Sequence, residues 1–348
     1  MSTTGSSNPE YVNARVRARR AALFSDDEYR KLVRMTPSEI ARYMEESEYE
    51  REINELGSRH SGVDLIEYSL NRNLAKHFND LLGFSEGQIY DLIARYLRKF
   101  DAWNIKTILR GVYTDSSRAD IETDLIRAGE FDEQLLDRLL EASTIQDVIT
   151  LLDRTIFGEP LEAASEDYEE SGVLVPLENA VDRTFYESLL SELPSSEPID
   201  LYREFLEAEI DFRNARNALR LARSGADIDP ADYFIEGGRL FKARELDALV
   251  QDPEQLLTRI RDSSYGRELS GPLDELEAAD SLIEFERALE SVLLKYSRRL
   301  GNVYPLSVCP IIAYILMKER EVENIRAIAR GREAGLSETE IEQELVIL

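Results

Sequence analysis

The sequence predicts an all-α protein built from repeated helical units. Three observations carry that expectation. One ten-residue helical pattern returns along the chain. Apolar residues recur at three- and four-residue spacing through most of the 348 residues. Almost no stretch alternates apolar and polar residues; Val173-Leu174-Val175 is the only short β-like run.

The recurring pattern is an acid, an Asn three residues later, then Ala or Ile, a basic residue, and a closing Leu or Ala followed by Arg. It reads Asp101 to Arg110, with Asn104; Asp211 to Arg220, with Asn214; and Glu321 to Arg330, with Asn324. These copies start at 101, 211 and 321, a constant period of 110 residues, and a fixed period is the mark of a repeat architecture. A further copy, Glu10 to Arg19 with Asn13, opens the chain. At about 100° per residue, Asp101, Asn104, Ile105, Ile108 and Leu109 share one face, and Lys106 and Arg110 point the other way. Each copy therefore carries one carboxylate and one Asn on its apolar face. The first is the exception to the apolar rule, with Arg17 where the others have Ile or Ala. A polar group packed without a partner costs about 1–3 kcal/mol, so the eight residues Glu10, Asn13, Asp101, Asn104, Asp211, Asn214, Glu321 and Asn324 are expected to form recurring buried joints. The competing reading leaves them solvated at the rim of the stripe.

In chain order, the first motif helix covers residues 10–24. Ser25 and Glu28 make a capping box, and Thr36-Pro37-Ser38-Glu39 is a stronger helix start. A break spans Gly57 to Gly62. Leu65 to Leu82 is a long amphipathic helix ended by Gly83, and Ser85 with Gln88 caps the helix that runs into Asp101. Ile121 to Gly129 is expected to be helical and to end on its glycine. Helices follow over 132–140 and 145–152, and the acidic stretch Gly158 to Gly172 reads as a linker. The second unit repeats the first: Glu178 lies 33 residues before Asp211, as Glu67 lies 34 before Asp101. A loop covers 226–231, helices pass through Leu246 and Val250, and Asp252-Pro253 caps another. In the third unit Glu286 precedes Glu321 by 35 residues.

That third unit stops short at Leu348. The segment it lacks stands at the other end of the chain: Leu23-Phe24 and the residues after it resemble Leu240-Phe241 and theirs, and Tyr49 answers Tyr265. The expected units are therefore 60–165, 166–275, and 276–348 completed by 1–59, closing on one another with both termini in the same third. An open array with two short terminal repeats is the alternative.

Composition narrows the function. The net charge of −27 speaks against nucleic acid and against a polybasic membrane surface. Seven Lys stand against thirty-five Arg. An acid excess with so little Lys reads as adaptation to a salt-saturated cytosol, where molar salt shortens the screening length to about 3 Å; an ordinary acidic protein is the alternative. Cys309 is the one cysteine, and His60 and His77 sit in unrelated surroundings, so neither a disulfide framework nor a zinc site is expected. Met1 to Pro9 has no apolar signal region, and the longest apolar run, Val303 to Met317, is broken by Pro305 and Pro310. It is shorter than the roughly 18 residues of a membrane span, so the chain is expected to be soluble and intracellular. There is no Gly-rich phosphate loop and no nucleophile elbow. A non-enzymatic mechanical or adaptor protein is expected, without cofactor, metal or nucleotide.

The stretch Tyr304-Pro305-Leu306 through Pro310, Tyr314, Lys318-Glu319, Glu321, Asn324-Ile325-Arg326 and Gly335-Leu336 closely resembles the C subunits of archaeal A-type ATP synthases, the relatives of the d subunits of V-type ATPases. Chain length, the Asn13-Ala14-Arg15 segment and the threefold repeat extend the resemblance over the whole chain. The departures are compositional, toward acid and Arg. The resemblance implies a funnel of three helical units around a pseudo-threefold axis. It would sit peripherally on the cytoplasmic side of the membrane, on the proteolipid rotor ring, and receive the foot of the central shaft, made of the D and F subunits. Its work would be to pass torque between ion flow and ATP synthesis while binding no nucleotide itself. The alternative is a cytosolic helical-repeat scaffold that holds partner helices in a groove.

Overall fold

In the computed structural model, residues 7–191, 193–224, 229–278 and 282–346 are described. Among them the chain is all-α, with 18 α-helices, one short 3-10 helix and no strand. In order these are α1 (Pro9–Arg20), α2 (Asp26–Leu32), α3 (Pro37–Glu45), α4 (Glu50–Leu56), α5 (Gly62–Phe84), α6 (Gln88–Tyr113), α7 (Arg118–Thr123), α8 (Glu133–Leu140), α9 (Ile145–Leu152), α10 (Gly158–Ser171), α11 (Val175–Ser191), α12 (Glu197–Ser224), the 3-10 turn Pro230–Tyr233, α13 (Ala243–Gln251), α14 (Pro253–Arg261), α15 (Gly266–Ala278), α16 (Ile283–Val303), α17 (Cys309–Glu333) and α18 (Glu338–Glu344). They fall into two compact units, Met1–Ser143 with Gly301–Leu348, and Thr144–Leu300.

In the first unit α17 is the central element. It packs on α5, α1, α2, α3, α6 and α18. Its apolar residues run nearly all round the helix, and Ile311, Ile312, Tyr314, Ile315, Val322, Ile325 and Ile328 are all buried, as expected of a helix enclosed on every side. The N-terminal helices thus cover the C-terminal helix directly. In the second unit, α12 gives Phe212 and Leu219 to a core shared with Phe241, Leu246, Leu256 and Phe285.

Local chemistry accounts for the helix starts. The Thr36 N–H donates to the Glu39 carboxylate at 2.8 Å, and the Glu39 N–H returns to the Thr36 hydroxyl at 3.4 Å. Asp252 accepts from the Gln255 N–H at 3.2 Å. Both satisfy helix-end N–H groups that have no partner within the helix. The Ser25 N–H and hydroxyl both donate to Glu28.

Four local expectations are corrected. The first helix ends at Arg20 rather than 24. The acidic stretch 158–172 is a helix, α10, because Glu, Ala and Leu are strong helix formers and Leu161 and Ser165 give it a buried edge against α11. Ser85 does not cap α6: its hydroxyl donates back to the Leu81 carbonyl at the end of α5, and Gly87, at φ +61°, turns the chain into α6 instead. The helix expected over 121–129 exists only as α7; beyond Thr123 the backbone leaves the helix because side chains of α6 claim its polar groups. Of the loop expected at 226–231, residues 226–228 lie outside the described residues, and Pro230–Tyr233 is the 3-10 turn.

Candidate functional site

The motif residues sit where long helices meet the segments that return across them. Seven of the eight are buried: Asn13, Asp101, Asn104, Asp211, Asn214, Glu321 and Asn324 are each at most 2% exposed. Glu10 is exposed. The rim alternative is therefore excluded for the seven, and Glu10 is corrected to a surface residue. It is the second residue of α1, in the first turn, where an acid faces water and favours the helix N-terminus.

The asparagines do one thing three times. Asn104 donates from Nδ2 to the Ile126 carbonyl at 2.8 Å and accepts from the Ile126 N–H at 2.9 Å. Asn214 does the same to Ile235, at 2.8 and 2.9 Å. Asn324 does it to Val346, at 3.0 and 3.1 Å. Each amide acts as a single rung of sheet-like pairing on a backbone 21 or 22 residues downstream. Only a side chain with both a donor and an acceptor in one plane can do this. Asn13 differs: its Nδ2 donates to the Pro9 and Ser307 carbonyls, at 2.9 and 3.1 Å.

Two of the acids hold the next part of the same returning segment, and the third, Glu321, holds the N-terminal segment instead. Asp101 accepts from the Glu130 and Phe131 N–H groups, at 2.7 and 3.1 Å. Asp211 accepts from the Leu240 N–H at 2.7 Å and from the Tyr265 hydroxyl at 3.3 Å. Glu321 accepts from the Phe24 N–H at 2.6 Å and from the Tyr49 hydroxyl at 2.7 Å. The correspondence of Tyr49 with Tyr265 thus recurs as hydrogen bonds to corresponding acids, while the backbone donors Phe24 and Leu240 lie one position apart in the matched segments. Glycine makes the approach possible: a Cβ on Gly129 would lie 2.0 Å from Asp101 Oδ1, and one on Gly238 2.2 Å from Asp211 Oδ1.

Burial shapes the electrostatics. It pushes the Asp101 carboxyl up to about 7, against the two N–H donors that favour its charge. It also raises Asp211. Lys318 joins the third joint, 1% exposed, donating to Glu321 at 2.7 Å and to the Tyr49 hydroxyl at 3.0 Å. Its ammonium is pushed down by burial, with Glu321 opposing. Beside it, the His77 ring meets the Tyr314 hydroxyl at 2.6 Å. Burial, then the Lys318 and Arg19 charges, hold that imidazole down to about 2.

The acceptors of these acids are filled by donors from their own fold. None of the three lines the cavities of about 820 Å³, between α10 and α11, or about 410 Å³, between α6 and α17. Among the described residues no group of three or more His, Cys, Asp or Glu is arranged to hold a metal ion, and no helix is long and apolar enough to cross a membrane. The arrangement is suited to hold segments in register.

A sequence profile of the ATP synthase (C/AC39) subunit family matches residues 12–344. The chain belongs to that family. It is 69% identical to the A-type ATP synthase C subunit of Haloferax volcanii, over 100% of both chains. It is 58% identical to that of Halobacterium salinarum, again over 100% of both. It is 37% identical to that of Methanococcoides burtonii, over 98% of this chain and 95% of the relative. The first two organisms are halophilic archaea, in keeping with the acid-rich, Lys-poor composition.

The C/AC39 match contains every motif residue except Glu10. The repeat pattern passes over Lys318, His77, Glu52 and Asn73, although Asn73 donates to Glu52 at 2.9 Å and both are buried. For Lys318 a signal existed, since it stands three residues before Glu321 on one helix face. For the others the partners come from separate helices, and no spacing announces them.

Proposed function

We propose that this chain is the central-stalk rotor component of an A-type ATP synthase. It links the membrane proteolipid ring to the D and F subunits of the central shaft, on the cytoplasmic side of the membrane. It transmits torque between ion translocation and ATP synthesis and is not itself catalytic. The observation that carries this reading is the full-length similarity to proteins named as the C subunits of A-type ATP synthases.

Pairs between successive copies of the motif favour the closed reading of the repeat over the open array. The closing Arg of the 211 copy makes a two-pronged pair with Glu286 of the next copy, at 2.6 and 2.8 Å. The closing Arg330 of the last copy makes the same two-pronged pair with Glu67, in the first copy. A pair between the last copy and the first is what the closed reading requires and the open array does not. Each pair is partly solvated and contributes little stability by itself; what it sets is register. Phe24 and Tyr49 on Glu321 support the same division, with 1–59 completing 276–348. Buried joints at the motif residues suit a part that carries load, because a close-packed body with its backbone pinned by side chains resists shear.

The test is affinity purification from detergent-solubilised host membranes held in high salt, with partners identified by mass spectrometry. Recovery of the proteolipid with the shaft and head subunits is expected. A clean preparation without them, at a salt concentration where the synthase stays whole, overturns the reading.

A further inference from the structure

The cavity of about 410 Å³ between α6 and α17 lies wholly within the first unit. Arg110 of α6 and Arg326 and Arg330 of α17 line it, in a protein of net charge −27. The cavity of about 820 Å³ in the second unit is lined instead by five acids and one cation, Arg183. Arg326 is the group that the fold leaves uncommitted. It is partly buried, and its one hydrogen bond among the described residues runs from Nη2 to the Asn71 side-chain oxygen, at 2.6 Å. Asn71 is fixed in turn, donating to the Thr123 carbonyl at 2.8 Å. No carboxylate pairs with Arg326 among the described residues. Glu67 is taken by Arg330. Asp120 and Asp124 line the cavity but are exposed, and Asp120 accepts from the Ser117 hydroxyl at 2.6 Å. A guanidinium withdrawn from water without a counter-charge costs free energy. Burial accordingly holds the Arg326 pKa below the ordinary arginine value, with Glu67 opposing and Arg330 adding.

Thr107 lines the same cavity from α6. Other helical threonines of this chain return their hydroxyl to the carbonyl four residues back: Thr150 to Gln146, Thr184 to Ala180 and Thr258 to Glu254, at 2.8, 2.7 and 2.8 Å. Thr107 makes neither that bond nor any other side-chain hydrogen bond among the described residues. One turn earlier Trp103, 47% exposed, lines the cavity and donates its indole N–H to the Asp124 carbonyl at 3.1 Å. It is the one tryptophan of the chain.

We propose that this cavity binds a phosphate group, with the Arg326 guanidinium as its main donor and the Thr107 hydroxyl as a second. A guanidinium offers its N–H groups as a planar fork that fits phosphate or carboxylate. Here the donors stand on two helices, Arg326 and Arg330 on α17 and Thr107 on α6. A tetrahedral anion, with oxygens directed to four corners, meets such a set better than a flat carboxylate does. In molar salt attraction reaches only about 3 Å, so recognition rests on direct hydrogen bonds rather than on the field of the site. A volume of about 410 Å³ is within the usual range of small-molecule sites. It admits free phosphate and a small phosphate ester alike. The site is separate from the motif joints and does not depend on the rotor reading.

The full chain, purified in molar KCl, is titrated with potassium phosphate by isothermal titration calorimetry at constant KCl, and Trp103 emission is followed in parallel. Saturable binding to one site is expected, with an emission change at the same midpoint. Arg326→Gln keeps a donor for Asn71 and removes the guanidinium. Thr107→Val keeps the size and removes a hydroxyl that no described residue uses. The first should raise the midpoint about tenfold or more and the second about threefold, with far-UV circular dichroism unchanged. If Arg326→Gln loses helix, Thr107→Val decides. Glycerol phosphate in place of inorganic phosphate separates the two sources: tighter binding of either supports the site and names the form it takes. Absence of saturable binding of both overturns the proposal. Binding that leaves Trp103 emission unmoved and survives both variants lies elsewhere and overturns it too. An equal response to potassium acetate overturns the choice of phosphate.

Discussion

Asn214 is 1% exposed, and both ends of its amide are committed to the backbone of Ile235. Asn214→Leu keeps the size and removes both bonds, leaving a buried N–H and C=O without partners. The expected loss is about 1–3 kcal/mol, read as a lower melting temperature in molar KCl. A loss under about 0.5 kcal/mol, the range of ordinary surface changes, would mean that the joint carries nothing. Asp101 offers a pH test of the same kind of joint. Burial raises its carboxyl from 3.8 to about 7, so the folded chain binds this proton more tightly than the unfolded chain does. The stabilisation from that proton is complete below about pH 4 and is lost as pH rises through about 7. Asp101→Asn does not titrate. The stability of wild type relative to the variant should therefore fall between about pH 4 and 7 and level off above. A difference that stays flat across that window would show the carboxylate ionised throughout, with the Glu130 and Phe131 N–H groups outweighing burial.

Single elements respond according to what approaches them. Gly238→Ala drives a Cβ to within 2.2 Å of Asp211 Oδ1, and should cost about 1–3 kcal/mol as the joint shifts to make room. Gly83, in the last turn of α5, has nothing within 4 Å of a built Cβ. Gly83→Ala should stabilise by about 0.4–1 kcal/mol, because it removes freedom from the unfolded chain. Melting curves of the two variants in the same salt check both signs. The contrast also explains what was legible in the sequence. The long helices were, because α5 and α6 carry continuous helical periodicity and α17 carries the repeat motif; so were the starts of α3 and α14, whose caps lie within four residues of the groups they satisfy. The motif residues were legible because they repeat. The 124–131 segment was not. Its apolar residues look helical, but Asn104 takes both polar groups of Ile126 and Asp101 takes the N–H groups of Glu130 and Phe131. Tertiary bonds from more than twenty residues upstream override local preference there. The Lys318 joint was only half legible: Lys318 stands three residues before Glu321, but Tyr49, which completes the joint, lies 269 residues away in sequence.

For the whole molecule the governing quantity is charge. The chain carries 69 acids against 42 Lys and Arg, so repulsive pairs outnumber attractive ones once charges sense each other at a distance. At 1 M salt that distance is about 3 Å, little more than a direct ion pair; at 0.01 M it is about 30 Å, on the scale of a whole domain. Dilution therefore strengthens close pairs such as Arg220 with Glu286 slightly, since they already touch. It strengthens the diffuse repulsion among the surplus carboxylates far more, and unfolding relieves that repulsion by spreading the charges apart. Buried joints add to the sensitivity, because Lys318, Glu321 and Tyr49 stay satisfied only while the N-terminal helices cover α17. Far-UV circular dichroism followed from molar to millimolar KCl should show full helix in high salt and a cooperative loss as the salt falls, reversed when KCl is restored. An equimolar-cation titration with a divalent salt should hold the helix at a lower concentration, since screening rises with the square of ionic charge. Helix content that stays constant to millimolar KCl would mean that the close ion pairs and the core outweigh the net charge, and that the acid surplus serves solubility alone.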